Sequence, residues 1–155
     1  MLADEVAYVI GVDTHTETHT LALVEARSQR CRRVVTIPAS RGGYRQALRL
    51  ARRQAPGHRL WASEGTGCYG AGLARFLAAH GERVLEVERP RREGRRGRLK
   101  SDALDAERAA RQVLSGASGV LPRLGAQTQA LRALLVAREG AVGARTAARN
   151  QLRAL

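Results

Sequence analysis

Residues 6–38 read VAYVIGVDTHTETHTLALVEARSQRCRRVVTIP. The first eight, VAYVIGVD at 6–13, form an apolar run ending in an acid, the pattern of a buried central strand. After a tight turn through Thr14–Thr18, HTLALVE at 19–25 alternates and predicts a second strand. CRRVVTIP at 31–38 predicts a third, with Pro38 ending it. Three strands in succession at this spacing predict an antiparallel meander.

The pattern changes after the meander. Ser40 can cap a helix over 41–54 with Tyr44, Leu48 and Ala51 on one face and arginines on the other, and Pro56-Gly57 breaks it. RLWAS at 59–63 predicts a short strand leading into Glu64-Gly65-Thr66-Gly67. GAGLARFLAAH at 70–80 predicts a helix stopped by Gly81, RVLEVE at 83–88 a strand, and 101–114 a further helix. Trp61 and Phe76 read as core residues. The order is β-β-β-α-β-α-β followed by a basic segment and more helix. Its β-α-β parts require parallel strands with right-handed crossovers. The expected class is therefore α/β, an RNase H-like mixed sheet flanked by helices.

Three domain segments are expected: a folded domain over 1–115, a linker over 116–123 marked by Gly116, Gly119 and Pro122, and a long helix over 124–155. Positions 131, 134, 138, 141, 145, 148, 152 and 155 keep a three–four spacing and read Leu, Leu, Arg, Ala, Arg, Ala, Leu, Leu. That is a heptad seam with two arginines at its middle, and it predicts pairing with a second copy. The pattern reaches Leu155 without a capping signal, which gives the expectation that a further domain follows.

The 155 residues include 27 basic and 14 acidic side chains, a formal charge of +13. Lys100 is the only lysine. Guanidinium groups fork onto phosphate oxygens with paired hydrogen bonds, so this charge points to a nucleic-acid partner. The density peaks in RPRREGRRGRLK at 89–100, where Arg89, Arg91, Arg92, Arg95, Arg96, Arg98 and Lys100 predict a phosphate-gripping loop. Codon bias can account for arginine over lysine but not for the excess of bases over acids. Cys31 and Cys68 are the only cysteines and make neither a disulfide framework nor a zinc motif. No apolar run approaches the ~20 residues of a membrane span, and the N-terminus lacks a secretory pattern, so the expected compartment is the cytoplasm.

In so basic a chain the placed acids are informative. Asp13 ends the most apolar strand, where a carboxylate is costly unless a cation or a hydrogen bond compensates. Glu64 ends the fourth strand before a Gly-x-Gly turn. Asp102 and Asp105 lie three apart on a predicted helix and share a face. In the expected sheet the first and fourth strands are neighbours and the late helix packs near their ends, so the four carboxylates can converge. Oxygen ligands without His or Cys suit Mg²⁺ or Mn²⁺. Each acid alone also has an ordinary role: Asp13 capping a turn, Glu64 bonding the glycine turn, Asp102 and Asp105 favouring a helix N-terminus. His15 and His19 flank the same turn, and the HTETH spacing offers a metal pair, but as strand residues four apart they are expected merely to share a face.

IGVDTHTETHTLALVE (10–25), WASEGTGCYGAGLARFLAAHG (61–81), VLEVERPRR (84–92) and LKSDALDAERAAR (99–111) together resemble the N-terminal region of the bacterial DEDD-type insertion-sequence transposases. That resemblance implies a RuvC-like domain with Asp13, Glu64, Asp102 and Asp105 as its four catalytic, metal-binding acids. It implies Mg²⁺ or Mn²⁺ as cofactor, and DNA and a structured bridge RNA as partners. It also implies a second domain, supplying a nucleophilic serine, beyond the long helix. Thr16 stands where many relatives carry lysine. The competing expectation is a nucleic-acid-binding remnant without catalysis. A nucleotide-using enzyme of the actin and sugar-kinase type shares the strand order but needs a second lobe.

Overall fold

The computed structural model describes residues 5–66, 68–87, 101–116, 119–122 and 125–154. The chain separates into two compact units, Met1–Pro122 and Arg123–Leu155. The first holds five strands and three helices in its described residues: β1 (Tyr8–Thr14), β2 (Thr18–Glu25), β3 (Cys31–Pro38), α1 (Arg41–Gln54), β4 (Arg59–Glu64), α2 (Ala71–Ala79), β5 (Arg83–Val87) and α3 (Asp102–Leu114). The second is the helix α4 (Ala126–Arg153). The basic residues Arg89, Arg91, Arg92, Arg95, Arg96, Arg98 and Lys100 lie outside the described residues.

The strands form one mixed sheet in the order β3-β2-β1-β4-β5. β1 pairs antiparallel with β2, and β2 with β3, as the meander requires; β1–β4 and β4–β5 are parallel. β1 is therefore central, which is why Val9, Ile10 and Val12 are fully buried. This is the RNase H-like topology expected from the sequence. β1 runs one residue further than its apolar run, through Thr14, whose hydroxyl donates to the Glu64 carbonyl at 3.2 Å. Asp13 thus lies inside the ladder, opposite Thr20, and does not close the strand.

The two-residue period sorts the sheet into faces. Val9, Gly11 and Asp13 of β1 share a face with Leu60, Ala62 and Glu64 of β4, and α3 packs there through Ala109, Ala110 and Val113. Ile10, Val12, Trp61 and His19 point the other way, toward α1 and α2. Trp61 is completely buried, its indole N–H donating to Glu82 Oε2 at 2.9 Å; Phe76 is partly exposed, against Tyr44 and His80. Ser40 caps α1, accepting from Gly43 N at 3.3 Å, and Gly43, Ala47, Leu48 and Ala51 are its buried face. Beyond α3, Val120 exchanges two backbone hydrogen bonds with Glu86, 2.7 and 2.9 Å, extending the sheet past β5.

Candidate metal centre

β1 and β4 run side by side in parallel, with Val12 opposite Ser63. The next residue on each is an acid, so Asp13 and Glu64 sit at matching heights on adjacent strands and on the α3 face. Both are buried, at 6% and 8% exposure. Gly65 follows in the left-handed region, φ +63°, where glycine carries no steric penalty. The chain therefore leaves the sheet immediately after Glu64.

α3 is brought to this edge by a close crossing over β1. A Cβ built on Gly11 would overlap the carbonyl oxygen of Ala106 and lie 2.8 Å from Ala110 N. With Ala106 over Gly11, the residue one turn earlier, Asp102, lies beyond it toward Asp13. Ser101 starts the helix by accepting from Leu104 N at 3.3 Å. That capping bond fixes where the first-turn acids fall.

The structure brings together Asp13, Asp102 and a third side chain, His15. One ligand atom from each lies within 4.8 Å of the others. His15 Nε2 is 3.0 Å from Asp13 Oδ2 and 3.5 Å from Asp102 Oδ1. The expectation that His15 and His19 share a strand face is corrected. His15 is not in a strand; it lies in the hairpin turn, where its N–H donates to the Thr18 carbonyl, and its ring swings to the acids. His19 is in β2, buried, and stacked on Tyr44 with ring centroids 5.9 Å apart. A short hairpin frees its tip residues from strict alternation, which strand periodicity does not register.

Glu64 and Asp105 are outside this triangle. Asp105 lies one helical turn before Ala109, a buried residue of α3. Its Oδ1 accepts from Arg108 Nη1 at 2.7 Å. Glu107, on the opposite flank, reaches Cys31 at the other edge, where burial and then the Glu107 carboxylate push the thiol up. The donor set suits a divalent cation: two carboxylate oxygens and an imidazole nitrogen, open to solvent at His15 and Asp102, anchored at buried Asp13.

A five-stranded 3-2-1-4-5 sheet, with acids at matching heights on the adjacent strands β1 and β4 and on the helix crossing them, defines an RNase H-like domain. A model of the transposase family DEDD_Tnp_IS110 matches residues 10–155, and the chain belongs to that family. No curated protein matches it. Membership makes DNA the substrate class. Among the described residues no helix is long and apolar enough to cross a membrane.

Proposed function

We propose that this chain carries the metal-dependent DNA-processing domain of a transposase, with Asp13, Glu64, Asp102 and Asp105 as the carboxylates of a Mg²⁺ or Mn²⁺ site acting on phosphodiester bonds. The observation that carries the reading is the meeting of Asp13 and Asp102 from distant parts of the chain, with a ligand atom of each within 4.8 Å of the other. Like charges gathered this way repel unless a cation joins them. When bound, a divalent ion neutralises the developing charge on a phosphate and makes water a better nucleophile. Asp13, buried within the β1 ladder, supplies the fixed point of the site. Glu64 extends it along β4. Asp102 and Asp105 approach from the capped end of α3, and Asp105 exchanges its contact with Arg108 for the site.

The arginines of 89–100 grip the backbone of DNA or of a structured guide RNA, and α4 pairs with a second copy. The domain division that goes with this reading is the folded part over 1–115, a connection over 116–123 and the helical segment over 124–155, leading toward a serine-bearing domain. The test is Asp102→Ala with Asp105→Ala, followed by Mg²⁺ titration calorimetry and an assay of branched-DNA cleavage. Both signals are expected to vanish while DNA binding persists. Unchanged Mg²⁺ binding would remove the site assignment. The Asp105–Arg108 pair favours a second reading, a DNA-binding domain without catalysis. That reading predicts no metal-dependent cleavage by the intact chain and DNA affinity indifferent to Asp13→Asn.

A further inference from the structure

We infer that His15 is itself a ligand of this site, through Nε2, and that it biases the site toward Mn²⁺ over Mg²⁺. The inference rests on the metal-site reading above and adds to it a nitrogen donor outside the four acids.

Two distances and an upper limit carry it. Cis ligands held about 2.1–2.2 Å from one ion are separated by about 3.0–3.1 Å, that is, √2 times the bond length. Nε2 of His15 stands 3.0 Å from Asp13 Oδ2 and 3.5 Å from Asp102 Oδ1, and the three ligand atoms span no more than 4.8 Å. The His15–Asp13 separation already matches a cis pair, the His15–Asp102 separation is 0.5 Å longer, and rotations of the two exposed side chains bring Asp102 in. Hydrogen bonding alone accounts less well for the arrangement. Nε2 carries at most one proton, and two carboxylate oxygens, both acceptors, face that single atom.

The consequence for metal choice is chemical. Mg²⁺ is satisfied by carboxylate and water oxygens and gains little from imidazole. Later divalent ions of the first transition row bind imidazole progressively better, Mn²⁺ the least of them but ahead of Mg²⁺. Nothing in the fold requires a histidine at this position. The residue is half exposed at a hairpin tip, with its backbone supplying the turn's hydrogen bond. Replacing it leaves the sheet intact.

The experiment uses the whole chain with Mn²⁺ and Mg²⁺ as probes. Wild type, His15→Ala and His15→Gln are titrated with each ion by calorimetry, and bound Mn²⁺ is examined by electron spin echo envelope modulation. Wild-type Mn²⁺ is expected to show nitrogen modulation that is absent in both variants. Mn²⁺ affinity should fall about tenfold or more in His15→Ala, the scale on which even outer-shell partners of a metal matter. Mg²⁺ affinity should change by less than about twofold. Free imidazole should restore the modulation to His15→Ala. Equal losses for the two ions, or nitrogen modulation that survives in His15→Ala, would overturn the ligand role while leaving the carboxylate site standing. Wild type binding neither ion would overturn both. Thermal melting without metal, unchanged in His15→Ala, separates ligation from a structural role.

Discussion

Gly11 sets how near α3 comes to β1, and so whether Asp102 can meet Asp13. Any side chain there collides with backbone, the Ala106 carbonyl and Ala110 N, which cannot rotate away. Gly11→Ala is expected to cost about 3 kcal/mol, the upper part of the usual overpacking range, measured by urea unfolding. It should also weaken Mg²⁺ binding, because the helix must lift from the strand. His19 gives a pH signature. Burial lowers its pKa from 6.5, with the Thr18 backbone opposing only in part. The unfolded chain therefore takes up the proton first as pH falls. Stability from this residue is complete above about pH 6.5, the unfolded value, and is lost as pH drops toward the lower folded value. In His19→Phe that decline should disappear from unfolding curves collected between pH 7.5 and pH 5. Glu82 behaves as a structural acid. Burial alone would raise its pKa, but donation from Arg59 Nε at 2.7 Å and from Trp61 Nε1 outweighs this and holds it below its ordinary value.

Among the elements, α3 has the most to lose at its first turn. Ser101 supplies the capping oxygen, and Ser101→Ala is expected to cost about 1 kcal/mol. Hydrogen exchange should speed at Leu104 and Asp105 before the rest of the helix, since fraying begins where the cap is lost. The strands and helices of Met1–Pro122 were readable from the spacing of apolar residues in the sequence. β1 is apolar throughout, β2 alternates, and α1 carries its apolar stripe between arginines. The site was only partly readable for the same reason. Asp13 and Glu64 are fixed by strand register, which apolar runs reveal. His15 sits at a hairpin tip, where periodicity ends and only coordinates show the ring turning to the acids. The Asp105–Arg108 pair is a three-residue helix spacing indistinguishable in sequence from an ordinary surface ion pair. α4 is a different case: it buries none of its residues and leaves Leu131, Leu134, Leu135 and Leu152 exposed. Gly140 and Gly143 each cost about 1 kcal/mol against alanine, so partner contacts would have to make up the difference. Sedimentation is expected to show concentration-dependent association that Leu131→Glu with Leu134→Glu abolishes.

At the scale of the whole molecule the governing quantity is charge, +13 over 155 residues. Such a chain attracts a polyanion before any particular contact forms, and the association releases counterions condensed on the nucleic acid. Carboxylates gathered in so basic a chain would weaken that attraction if they stayed bare, and a bound cation removes the conflict. Two contributions to DNA binding should then be separable by salt and by metal. The logarithm of the binding constant should fall linearly with the logarithm of salt concentration, with a slope of about −0.9 for each duplex phosphate neutralised. Replacing Arg91, Arg92, Arg95 and Arg96 by glutamine should make that slope shallower by about 3–4 if each meets one phosphate. Asp13→Asn should leave the slope unchanged and abolish only the extra affinity gained on adding Mg²⁺ or Mn²⁺. Fluorescence anisotropy of labelled duplex DNA between 50 mM and 300 mM salt, with and without metal, measures both. If the quadruple arginine change left the slope untouched, the grip on phosphate would have to lie with basic residues other than these four.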